Sequence, residues 1–460
     1  MKRRIVFLSA ILLSVSIASA QQDGPMGPPP DGQPPMDANG MPAPPPGGKP
    51  GPGGGGQQFK QASGVLSFTS DATVTGKTVT SETGDKSPIY VSSGTLNISN
   101  CVLTNKGDAS STDDASFYGV NAVMCAQPAQ DSKATCVINS RNNHVSGTGL
   151  GSNGIFAYGT ATINSENDVI EQSGGNTRGI MASGGGTINA KHATVVTKGH
   201  SSSCVATDRG GGIINVTGGT FTCYGGNSAG IYTTGEINAK DATFISNGGE
   251  GIVVEGTNYA NLKDCHVISK FDKWGVLLYQ SFSGDAEEGD KATLSIRGGD
   301  LTYEGTKTGM FYNTNNRDSL YLEDVTLTNT SDTLINCKKG NWGNNDSARR
   351  GGTLSVETNK QILEGLVCAD VNSQVSLNMK GASIFIGAFN PDNTAKQATL
   401  LMSNDSYWVL TKNSYVNGTL RLNTDNIRSN GHNIYYNSAS NSSLAGRTID
   451  LPGGGQLMPF

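Results

Sequence analysis

The periodicity of this chain is that of an all-β protein, a right-handed parallel β-helix built from three-strand coils of about 25 residues. Three apolar beats recur between Gly154 and Val276. The first is a small residue before an aliphatic one: Gly154-Ile155, Gly179-Ile180, Cys204-Val205, Gly230-Ile231, Gly251-Ile252 and Gly275-Val276, at steps of 25, 25, 26, 21 and 24. The second ends in asparagine: Ile163-Asn164, Ile188-Asn189, Ile214-Asn215, Ile237-Asn238. The third follows as Val169-Ile170, Val195-Val196, Phe221, Phe244-Ile245 and Val267-Ile268. Strands this short cannot bury an apolar face alone. Stacked one coil on the next, each gains a partner on both sides and the core becomes continuous.

Composition agrees. Gly accounts for 62 of 460 residues and charged side chains for only 15%, a balance that favours short strands and turns over long helices. A solenoid grows in one dimension, so this length needs no division into separate cores. The formal net charge of -5 argues against nucleic acid and anionic membranes as partners.

Along the chain, residues 1–20 have the parts of a secretory signal: Lys2-Arg3-Arg4, an apolar run from Ile5 to Ile17, then Ala18-Ser19-Ala20. No later stretch reaches the length of a membrane span, so a secreted protein, extracellular or at the cell surface, is expected. Residues 21–62 form a Pro/Gly-rich spacer expected to be disordered, with Pro28-Pro29-Pro30, Pro44-Pro45-Pro46 and Gly53 to Gly56. The β-helix is expected over 63–405, with closing coils and a cap over 406–460.

The asparagines at 97, 139, 164, 189, 215 and 238 step by 42, 25, 25, 26 and 23. They suggest a ladder of amides at one corner of the coil, structural rather than ligand-binding. An insertion over Asp108–Lys133 accounts for the long first step. Further loops interrupt the rod at Ser281–Asp290, Cys337–Gly351 and Phe389–Lys396, and loops are the usual carriers of binding function in such folds. Eight cysteines in an exported chain permit disulfides. Spacing does not fix their connectivity; Cys125 and Cys136, which bracket the insertion, and Cys204 and Cys223, within one coil, are the candidate pairs, the alternative being that Cys204 and Cys265 are small buried core residues.

The stretch 154–276 resembles secreted β-helix proteins of the pectate-lyase-like superfold, and most of all their adhesin-like group. Ser406-Tyr407-Trp408-Val409-Leu410, Asn413-Ser414-Tyr415-Val416 and Gly418-Thr419-Leu420-Arg421-Leu422 look like the closing segment of autotransporter passenger domains. No membrane barrel follows, which departs from that pattern. The resemblance implies a scaffold for surface adhesion or for binding extracellular or host-surface glycans. It also implies an alternative, because enzymes of this fold are lyases and hydrolases of uronic-acid-containing polysaccharides. A purely structural surface rod is the third reading.

Enzymes of this kind need grouped carboxylates. Asn423-Thr424-Asp425 matches one fragment of a polygalacturonase set whose other parts are missing. Four residues beyond each beat glycine lies one column: Tyr158, Ser183, Asp208, Thr234, Glu255 and Tyr279. Asp208 and Glu255, two coils and roughly 10 Å apart, with Arg209 beside them, are the candidate catalytic residues. A solvated polar edge is the plainer account of that column. For binding, Lys338, Lys339, Asn341, Trp342, Arg349 and Arg350 bring an indole, an amide and four cations into one loop, suited to stacking on sugar rings and reading acidic groups. Packing of Trp342 on the rod is the simpler alternative. Asp285, Glu287, Glu288 and Asp290 match no calcium-loop spacing and read as a charged turn. No cofactor or metal is expected, and a monomer is.

Overall fold

The computed structural model describes residues 58–283, 286, 292–340, 342 and 351–460. The fold is an all-β parallel β-helix. Among the described residues, the first sheet stacks 15 strands from Gly64–Phe68 to Ile427–Arg428, the second 14 from Ala72–Thr75 to Leu420–Arg421, and the third 10 from Thr78–Ser81 to Thr326–Asn329. The rod therefore has more coils than the sequence's clear beats mark out, and is about 70 Å long at one strand spacing per coil.

The three beats are the three sheets. Ile155 pairs with Ile180, and Ile180 with Val205, in the first. Ile163, Ile188, Ile214 and Ile237 stack in the second, and Ile170, Val195, Phe221 and Phe244 in the third. Alternation along each strand sends these side chains inward, where they are fully buried, while their neighbours face outward. Phe221 and Phe244 lie stacked with centroids 4.8 Å apart.

The bend between second and third sheets holds one or two residues per coil in the left-handed region, among them Asn142 (φ 54), Asn167 (φ 55) and Asp241 (φ 53). Asn and Asp tolerate that conformation through local side-chain bonding. This corner is distinct from the asparagine ladder. The ladder lies on the outer face of the second sheet, because each Asn follows an inward apolar residue, Ile in most coils, and so points out.

Two polar clusters are sealed inside. Asp168 accepts from Ser140 Oγ (2.6 Å), Ser165 Oγ (2.7 Å) and the Asn143 N–H (2.7 Å). Asp318 accepts from Asn316 Nδ2 at 2.8 Å and from Asn313. Burial pushes both carboxyls above their ordinary range, Asp318 strongly.

The insertion after Asp108 is an ordered roof. Ser111 caps a helix over Thr112–Tyr118 by accepting from the Asp114 N–H at 3.1 Å, and Met124–Ala126 follows as a strand of the first sheet. Phe59 and Ala62, which fall within the expected spacer, lie against the rod. Phe59 packs on Tyr118 and Tyr158 at 5.4 and 5.6 Å, and Ala62 is buried, because an apolar outer patch there needs cover. The signal-like residues 1–20 and the spacer through 57 lie outside the described residues. All eight cysteines are free thiols in the structure, so neither Cys125 with Cys136 nor Cys204 with Cys223 is joined. Seven are buried, six in the apolar interior and Cys125 in the outer patch beside Phe156, where they fill space as small side chains.

At the far end Trp408 is fully buried and stacked on Phe385. A separate four-stranded sheet then closes the rod, with Ile449–Asp450 running antiparallel to Gln456–Pro459. No helix among the described residues is long and apolar enough to cross a membrane.

Candidate functional site

The predicted column exists on the outer face of the first sheet. Tyr158 pairs with Ser183 and Glu255 with Tyr279 in register. Asp208 and Thr234 occupy the intermediate places, each one residue beyond a paired strand position. The column is not a solvated edge. Ser183, Asp208, Thr234, Glu255 and Tyr279 are all buried, because inserted segments cover it from both ends.

Toward the N-terminal end the cover is the 112–118 helix. Ser183 Oγ donates to the Phe117 carbonyl at 2.5 Å, and Arg178 Nη1 donates to Ser116 Oγ at 2.8 Å. The Arg209 guanidinium sits 3.9 Å over the Phe117 ring, a cation–π contact that holds helix to rod. Asp208 accepts from the N–H of Arg209 at 2.8 Å, which turns the chain after its strand.

Toward the other end, Glu255 is 1% exposed and accepts from four donors. These are Tyr279 Oη at 2.9 Å, the Ser281 N–H at 3.2 Å, Ser281 Oγ and Tyr232 Oη. Burial first, and the Glu255 charge second, push the Tyr279 phenol well above its ordinary range, so it keeps its proton and remains a donor. Glu250 lies nearby in sequence, accepting from Trp274 Nε1 at 2.7 Å, and burial raises its carboxyl. Trp274 stacks on Tyr312 with centroids 4.3 Å apart. These donors, among the described residues, tie the carboxylate to the chain that follows Tyr279. Its chemistry is that of a clasp fixing the chain at Ser281.

The candidate binding loop divides. Lys338 and Lys339 are exposed at its start, and the Lys339 N–H donates to Asp370 Oδ2 at 2.8 Å. Trp342 is 8% exposed and tilted against Tyr279 at 5.0 Å, so its ring is spent on the rod. Asn341, Arg349 and Arg350 lie outside the described residues, as do Asp285, Glu287, Glu288 and Asp290.

An open polar feature lies on the second sheet. Asn139 donates to Asn97, Asn164 to Asn139, Asn189 to Asn164, Asn215 to Asn189, Asn238 to Asn215 and Asn261 to Asn238, at 2.9 to 3.0 Å. In the ladder Asn139, Asn164, Asn189 and Asn215 each spend one N–H and one oxygen lone pair, and a primary amide has two of each, while Asn238 gives its second N–H to Glu236 at 2.8 Å. The remainder faces a trough of about 690 Å³ whose opposite wall carries Arg141, Glu166, Lys191 and Thr217. Its floor passes over Ser140, Ser165 and Ala190. Arg141 and Glu166 pair across adjacent coils at 3.6 Å, and Lys191 leaves that wall with one net positive charge. The amide column was legible in sequence. The trough beside it was not, since it needs two outward columns in register.

The fold thus defines a parallel β-helix protein with a roofed first sheet and an open, amide-lined second sheet. No family model, no curated protein and no solved structure matches this chain.

Proposed function

We propose that this protein is an exported, non-catalytic β-helix scaffold that binds extracellular or cell-surface polysaccharide. The observation that carries the reading is the amide-lined trough along the second sheet. Its rungs recur at the coil rise of about 4.8 Å, close to the length of a sugar ring, and each presents a donor and an acceptor suited to hydroxyls. The far wall carries one paired set of charges and the single cation of Lys191, so a linear glycan that is neutral or sparsely acidic fits. Export rests on the signal-like residues 1–20. The enclosed state of Glu255 supports a non-catalytic reading over a lyase or hydrolase.

The test joins co-sedimentation with insoluble neutral polysaccharides to a reducing-sugar and unsaturated-end assay. Asn164→Leu with Asn189→Leu removes two rungs and is expected to weaken binding about tenfold, with little dependence on salt. Binding that survives the double substitution would remove the trough. Release of sugar ends that is abolished by Asp208→Ala or Glu255→Ala would make the protein an enzyme.

A further inference from the structure

The two outward columns that border the trough do not end with it. In the second sheet Asn215 is followed in register by Asn238 and Asn261, and Thr217 by Lys240, Lys263 and Arg297. Side-chain alternation keeps both columns on the outer face, and all three cations are exposed.

The charge pattern changes at this point. Beside the trough, Glu166 stands between Arg141 and Lys191. Past Thr217 the cations follow one another at the coil spacing of about 4.8 Å, with no acid between them in the column. Like charges opposite one another on neighbouring strands repel, and nearby acids answer only part of this charge. Asp241 pairs with Lys240 at 3.6 Å and Glu323 with Arg297 at 3.3 Å. Asp264 follows Lys263 in the chain, yet Lys263 makes no ion pair among the described residues.

The amide ladder also stops here, and its last rung is open. Asn261 donates to Asn238 at 2.9 Å. The next place in its column is Ser295, whose hydroxyl accepts from Arg297 Nη1 at 2.7 Å. Among the described residues, no donor reaches the Asn261 side-chain oxygen. Two positions earlier on the same strand and the same face, Tyr259 is 47% exposed. The strand Tyr259–Lys263 thus carries an aromatic ring, an unused acceptor and an unpaired ammonium along its outer side.

We propose that this strand, with Lys240 one coil before it, is a subsite for an anionic substituent on a linear glycan. The group is a carboxylate or a sulfate ester, and the inference rests on the trough reading, since the neutral part of the same chain occupies the trough. Lys240 and Lys263 hold the anion between them, which relieves their mutual repulsion. The Asn261 oxygen accepts from a sugar hydroxyl, and the Tyr259 ring offers an apolar face to the sugar. The net charge of -5 repels a densely charged polymer, so a sparsely substituted chain fits best.

The experiment titrates the full chain calorimetrically with three soluble derivatives of one linear β-glucan. These are hydroxyethylcellulose, which is neutral, and carboxymethylcellulose and cellulose sulfate, both of low substitution. At low salt an anionic derivative is expected to bind about fivefold more tightly than the neutral one, the yield of two exposed ion pairs. The gap should close in about 0.5 M sodium chloride. Lys240→Gln with Lys263→Gln should abolish the gap and leave both the neutral affinity and the melting temperature unchanged. Lys338→Gln with Lys339→Gln should leave the gap intact. A gap with only one derivative identifies the anion as carboxylate or sulfate. Equal binding of all three by the parent overturns the subsite and spares the trough, as does a gap that survives the Lys240 and Lys263 substitutions. Binding of none of the three sinks the trough reading and the subsite with it.

Discussion

Tyr279 donates its phenolic proton to Glu255, one coil below it in the same outer column, at 2.9 Å. With Tyr232 and Ser281 contributing as well, this carboxylate is the fastening point for the chain that leaves the first sheet at Gln280. Removing it strands several buried donors. Glu255→Ala is therefore expected to cost about 3 kcal/mol, read as a lower urea midpoint with the far-UV spectrum of the folded state retained. A variant as stable as the parent would show that the roof at this end is held elsewhere.

Three buried carboxyls make stability fall as pH rises. Asp168, Glu250 and Asp318 all have native pKa values raised by burial above ordinary values of 3.8 for Asp and 4.5 for Glu. In the window from the unfolded value up to the raised native value, the folded chain holds more protons than the unfolded one. Their stabilising contribution is thus complete below about pH 4 and is lost as pH climbs through the native pKa. Other carboxylates act in the opposite sense, so the difference between parent and variant is the quantity to follow. Glu250→Gln should flatten the melting-temperature profile between acid and neutral pH, and an unchanged profile would contradict the assignment.

The geometry that gave the asparagine ladder away in sequence is simple. An inward Ile is followed by an outward Asn in coil after coil, and a side chain repeated at the coil step must meet its own copy. The beats of the first and third sheets were legible for the same reason. The roof was not, because Thr112–Tyr118 is a short helix with little periodicity, and its contacts through Ser116 and Phe117 reach residues more than sixty positions away. The end of the third sheet was equally hidden. There Gln361 lodges its side-chain amide between Val325 and Ile362, a contact that nothing in the local sequence pattern marks.

Trp342 distinguishes the loop from the trough. Its indole covers Tyr279, so Trp342→Ala should lower stability by about 2 kcal/mol while leaving glycan co-sedimentation unchanged once the protein is folded. Weakened binding at equal stability would return the 337–350 loop to the binding surface.

Closure of the rod falls to the last fifty residues. The stacked rings of Tyr415 and Tyr435, 4.6 Å apart, and Phe460 set edge-on to Tyr415 tie the final sheet together. Its one antiparallel pairing turns a strand back across the end of the stack. Truncation after Ala398 should expose unpaired edges, lowering soluble yield and raising binding of a hydrophobic dye. Deleting residues 21–58 should change neither, since Phe59 and Ala62 remain. A truncated rod that stays monomeric and melts like the parent would place the cap elsewhere.

Ile155 stands beneath Ile180, and Ile180 beneath Val205, at equal steps along the chain. The rod is therefore graduated. An in-frame tandem duplication of residues 155–179 would insert one complete storey, presenting to the coils above and below the same faces they already meet. A single unequal recombination event suffices to make that change, and another to undo it. Whatever the far end of the rod carries can thus be moved outward or inward by increments of about 4.8 Å, which makes reach a heritable length that evolves apart from the chemistry displayed along it.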